Sequence, residues 1–187
     1  MPSLGAMPAF DGRIRTKKVT PAAASNTAVH AAVTDNGGTQ TVTTAITNPD
    51  VPRNVTATSG GIGADIKAIQ VTVTGTNEEG ATISETLPIF TVNTPTTVVG
   101  SKIFATVTSI SIPAHDGTGA TTAIGSGSKI GLGDRLSRNT VVAAYLNNSK
   151  EGTDPTVAVS SSAIESNSVL LNSALDGTEV AIDYYRS

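Results

Sequence analysis

Cysteine and tryptophan are both missing from this chain of 187 residues. Without cysteine there is no disulfide, no thiolate nucleophile and no thiolate metal site. Aromatic residues make up only 3% of the sequence, so Val, Ile, Leu and Ala must build the core. Charge is sparse as well: charged residues are 14% and the net charge is -3. That leaves no broad basic surface of the kind a general nucleic-acid binder needs. No apolar run approaches the length of a membrane span. The opening MPSLGAMPAFDGRIRTKKVT lacks the apolar stretch of a secretory signal. The expectation is synthesis and assembly in a cytoplasm, with neither nucleic acid nor a membrane as partner.

What the chain has in abundance is threonine, its commonest residue. Thr, Val and Ile are the β-branched set that suits a pleated sheet. From Gln40 onward the text reads strand, turn, strand. AIQVTVTG places Ile69, Val71 and Val73 on one face and Gln70, Thr72 and Thr74 on the other. TNEEG is a polar turn with Gly80 available for positive φ. ATISETLPIF answers with Ile83, Leu87 and Ile89 on one parity, so the two segments form a hairpin. In KIFATVTSISIP the apolar parity changes between Val107 and Ile110, which predicts a β-bulge or a strand that changes sheet. NTVVAAYLNN fits a central strand or a short buried helix, and SKEGTDP a turn or linker. In EVAIDYY, after the Asp176-Gly177 turn, Val180, Ile182 and Tyr184 share a face. Many short strands with turn signals between them predict an all-β fold: an antiparallel β-sandwich, immunoglobulin-like or jelly-roll-like. It spans 40–187, with 153–187 as a further β subregion.

Residues 1–39 read differently, because neither a period of 2 nor one of 3.6 runs through them. Prolines and glycines punctuate them, and Arg13, Arg15, Lys17 and Lys18 form a basic cluster. This segment is expected to be an extended arm. Leu4, Phe10 and the four basic residues are its candidate partner contacts, ordering against another protein.

The stretch from Ser111 to Ser137, SIPAHDGTGATTAIGSGSKIGLGDRLS, invites a nucleotide or catalytic reading. Both fail on spacing. Lys129 follows Ser128 and precedes Ile130, which breaks the phosphate-loop pattern, and Ile130 takes the third glycine position of the dinucleotide pattern. His115 and Asp116 are neighbours, and a triad needs the two side chains facing each other. His30 and His115 have no second ligand at metal-binding spacing. Glu78, Glu79 and Glu85 cluster at one hairpin and read as a solvated turn rather than an acid/base pair. No catalytic residue, cofactor or metal is expected.

Three runs carry a resemblance to known proteins. NPDVPRNVTATSGGIGADIKAIQVTVTGTNEEGATISETLP, FATVTSISIPAHDGTGATTAIGSGSKIGLGDRLS and SSAIESNSVLLNSALDGTEVAIDYY resemble segments of structural proteins of tailed-phage virions. Together they cover most of the chain after residue 47. The resemblance implies a β-sandwich located in the virion, without catalysis: a capsid decoration (cement) protein, with the major capsid protein or other virion proteins as partners. A tail-tube, head-tail connector or fibre subunit is the alternative, and a carbohydrate-binding or adhesin module is a third and weaker one. Sheet edges with few lysines predict a homo-oligomer. A trimer is the form implied by the resemblance.

Overall fold

The computed structural model describes residues 13–186. The protein is all-β, built from antiparallel sheets that curl into a half-barrel. One four-stranded sheet orders β3 (Gln40–Val42), β8 (Thr106–Ile112), β5 (Thr72–Thr76) and β6 (Thr82–Thr86). The central sheet orders β12 (Thr156–Ala158), β13 (Ser168–Leu170), β9 (Ala120–Gly131), β4 (Arg53–Gly61) and β7 (Thr97–Phe104), and β2 (Ser25–Thr34) also pairs with β9. A third sheet orders β1 (Ile14–Val19), β14 (Val180–Tyr185), β10 (Val141–Leu146) and β11 (Ser149–Lys150). Among the described residues no helix is long and apolar enough to cross a membrane.

Two apolar cores hold these sheets together. The first joins the β4 and β9 residues Val55, Ala57 and Ile124 to Val73, Ile83, Val107 and Ile110 of the β3-β8-β5-β6 sheet. The second gathers Ile130, Leu132, Val169, Val180, Ile182 and Tyr184. Strand β9 serves both, with Ile124 in the first and Ile130 in the second. Along one edge it pairs with β2 at Ser126 and with β13 from Lys129 onward.

The hairpin of β5 and β6 forms as its alternation requires, with Gly80 at φ +80° in the turn. Ile89 departs from the expected parity and is exposed, because the chain leaves the sheet at Pro88; Phe90 enters the core instead. The expected bulge lies in β8, where Thr74 faces Ser109 but Gly75 faces Val107. NTVVAAYLNN is a strand. It ends in a two-residue turn in which Asn147 and Asn148 both adopt positive φ, which returns the chain as β11.

The extended arm expected over 1–39 is corrected where the structure describes it. Residues 14–19 pair in unbroken register with β14, from Ile14 opposite Tyr185 to Val19 opposite Val180. Residues 25–34 lie along β9, and Val29 is part of the first core. Neither strand shows a sustained alternation, and β2 buries only Val29 fully. Strand β1 sits at a sheet edge and buries no apolar side chain fully, so no alternation of polar and apolar residues is needed to hold it. Leu4 and Phe10 lie outside the described residues.

Candidate interaction surfaces

Three of the four residues of the basic cluster are paired with carboxylates of the chain. Arg15 reaches Asp134 at 3.4 Å, Lys17 reaches Glu78 at 2.7 Å and Lys18 reaches Glu179 at 2.8 Å. Thr16 on the same strand donates to Asp183 at 2.5 Å. Asp134 is the hub: it is 6% exposed and also accepts from Arg186 and from the Tyr184 hydroxyl. Burial and the Asp134 charge push the Tyr184 phenol up, which keeps it neutral and a donor. These residues therefore fasten β1 to the rest of the molecule, rather than presenting free charge to a partner.

The pairs differ in worth. Lys17 and Glu78 are 18% and 13% exposed, whereas Lys18 and Glu179 are 59% and 40%. Replacing Lys17 by methionine is expected to cost about 1–2 kcal/mol, because a half-buried carboxylate loses its partner. The same change at Lys18 should cost below about 0.5 kcal/mol. Urea melts of the two variants check this, and equal losses would contradict it.

The carboxylates at the β5–β6 hairpin are engaged too: Glu79 is exposed, while at buried Glu85 the solvated-turn reading is corrected. Glu79 forms a two-pronged pair with Arg135. Glu85 is buried. Its carboxylate accepts the Ser101 N–H at 2.7 Å, the Ser101 hydroxyl at 2.8 Å and the Lys102 N–H at 3.2 Å. It thereby links the edge strand β6 to the edge strand β7 where the two sheets curl together.

In the glycine stretch, His115 and Asp116 point to different places. Asp116 pairs with Lys67 at the surface. His115 is 6% exposed and stacks on Phe90, ring centroids 6.1 Å apart. Its Nδ1 accepts the Lys67 N–H at 3.2 Å, so the neutral ring carries its proton on Nε2 and donates to Thr122 at 2.9 Å. Its own backbone N–H donates to Asp35. His115 is a buried stitch and Asp116 a surface ion pair, and the two side chains do not face each other. Burial lowers the His115 pKa, partly offset by the charges of Asp35 and Asp116. The unfolded chain therefore takes up this proton first as pH falls below about 6.5. Stability is expected to drop on acidification from neutral pH through that window, and His115→Gln should flatten this part of the profile. An unchanged slope in the variant would contradict the assignment.

Glycine serves close approach here. A Cβ at Gly125 would collide with the Ser25 carbonyl, and one at Gly127 with the Asn54 amide. Among the described residues no group of three or more His, Asp or Glu could hold a metal ion.

One surface stands out by chemistry. The outward positions of the β3-β8-β5-β6 sheet are all hydroxyl residues: Thr41 on β3; Thr106, Thr108, Ser109 and Ser111 on β8; Thr72, Thr74 and Thr76 on β5; Thr82, Ser84 and Thr86 on β6. Cross-strand hydrogen bonds tie Thr72 to Thr86 at 3.1 Å, Thr74 to Ser84 at 3.2 Å and Thr76 to Thr106 at 2.7 Å. The face carries no charged side chain at these positions, and the hydroxyls of its three cross-strand pairs are held by one another. The repeated T-x-T spacing in TVTGT and TVTSIS is its trace in the sequence. Comparison with family models, curated proteins and solved structures finds no match for this chain.

Proposed function

We propose that this chain is a non-enzymatic structural protein of a phage virion that binds the capsid surface and stabilises the shell. The observation that carries the reading is the uncharged hydroxyl face of the β3-β8-β5-β6 sheet. Interface centres are depleted in charge, and a face of threonine methyls and pre-paired hydroxyls loses little hydration when covered. The reading takes the fold as a β-sandwich of immunoglobulin-like or jelly-roll-like kind, assembled as a homo-oligomer, a trimer by resemblance. Leu4 and Phe10 are assigned to contact with the major capsid protein. A tail-tube, connector or fibre role shares the same face and differs in copy number: hundreds per particle for decoration, tens or fewer for the others.

The test is binding to purified shells that lack the protein. Thr86→Lys and Thr108→Lys place single charges at exposed positions of this face, where they should leave the melting temperature unchanged. The parent is expected to saturate the shells and both variants to lose at least about tenfold in affinity, the equivalent of one desolvated charge. Binding of the variants at parental strength would overturn the use of this face, and no binding by the parent would overturn the capsid role.

A further inference from the structure

Two adjoining cavities of about 330 Å³ each lie along the central sheet and share Lys129 and Leu170. One extends past Thr56 and Val99, the other past Ser168 and Val159. Their walls are mostly apolar, and Val99 and Val159 are 48% and 36% exposed there.

The groove is set by an irregularity in β9. The β4–β9 register shifts between Arg53 and Val55, leaving Asn54 opposite the extra length of β9. The Asn54 Oδ1 accepts the Lys129 N–H at 2.9 Å, and its Nδ2 donates to the Gly100 carbonyl at 3.0 Å. Lys129 is thus held by its backbone, with its side chain along the groove. The Nζ donates to the Gly100 carbonyl at 3.2 Å, which leaves two of its three donors unused by that bond.

Lys129, like Lys102, bonds a backbone carbonyl with its Nζ and not a carboxylate. Arg15, Lys17, Lys18, Arg53, Lys67, Arg135 and Arg186 each have a carboxylate partner. Lys129, half-buried between apolar walls, pairs with no carboxylate among the described residues. A cation in such surroundings gains most from an opposite charge that arrives with apolar cover.

We propose that this groove binds an extended segment of a partner protein, with a carboxylate side chain on Lys129 Nζ and small apolar side chains against Val99, Leu170 and Val159. The groove belongs to the isolated chain, so the proposal does not depend on the capsid role.

The test is an NMR titration of the ¹⁵N-labelled protein with two blocked peptides, acetyl-Ser-Val-Glu-Val-Ser-amide and its Gln counterpart, and with hexanoate. The Glu peptide is expected to give saturable shifts at the amides of Ser128, Lys129 and Leu170. The Gln peptide should bind roughly tenfold more weakly, the worth of one charge-assisted hydrogen bond. In Lys129→Met, checked for an unchanged amide spectrum elsewhere, the two peptides should become equivalent. Val99→Asp, at the exposed rim, should weaken the Glu peptide by repulsion even if the Lys129 variant fails to fold. No shifts in the groove, equal binding of the two peptides to the parent, or hexanoate binding as tightly as the Glu peptide would each overturn the proposal.

Discussion

Replacing Arg53 by methionine is expected to destabilise the protein by about 3 kcal/mol, a fall in melting temperature of about 6–12 °C for a chain of this size. Arg53 is fully buried. Its Nε donates to the Gly127 carbonyl at 2.7 Å, and one Nη donates to the Ala22 carbonyl at 2.9 Å and to Asp50 at 3.0 Å. It thus ties the link between β1 and β2 to the irregular stretch of β9. Methionine fills much of the aliphatic volume but leaves two carbonyls without their donors. The other Nη is buried without a partner, which lowers what the arginine contributes. The clamp also has a pH signature. Burial raises the Asp50 carboxyl, yet the Ala22 N–H and Arg53 together outweigh it and hold it below its usual range. Its contribution is present above the ordinary carboxylate range and is lost as pH falls through the lowered value. Arg53→Lys restores at most part of the set and should recover only part of the loss. A methionine variant within about 1 kcal/mol of the parent would show that Arg53 is not a clamp.

Gly75→Ala is expected to cost at least about 3 kcal/mol, or to prevent folding. Gly75 faces the first core across from the β8 bulge, and a Cβ there would land on the carbonyl oxygen of Thr106. The obstacle is backbone, so relief requires moving β8 off β5. Gly80→Ala is the matched control. Its φ of +80° strains any L residue, but the space around it is open, and it should cost only about 1 kcal/mol. Thermal melts of both variants check the contrast, and equal losses would contradict the account of the bulge.

Much of the fold was legible in short-range pattern. The alternation of Val71, Val73 and Ile83 marks the β5–β6 hairpin, and the parity change after Val107 marks the bulge. What stayed hidden is held by contacts remote in sequence. Strand β1 is fixed by backbone pairing with β14 and by carboxylates 61 to 167 residues away, and no local periodicity records such partners. The same is true of His115, which looks like turn chemistry beside Asp116 and Gly117 but is set on Phe90 by the packing of the first core. Glu85 reads as one of three hairpin acids, and only the approach of β7 reveals it as the acceptor for Ser101 and Lys102. The hydroxyl face was partly visible as T-x-T alternation, whereas the place of Lys129 along a groove follows from the β4–β9 register shift, which no local pattern records.

The central claim is that the uncharged hydroxyl face is the surface this protein presents to a virion shell. Electron cryomicroscopy of shells saturated with the purified protein tests it most directly. The expected map shows the β3-β8-β5-β6 sheet against the shell, with Thr74, Ser84 and Thr108 covered. A map with that sheet facing solvent, or with no density for the protein on the particle, would contradict the claim.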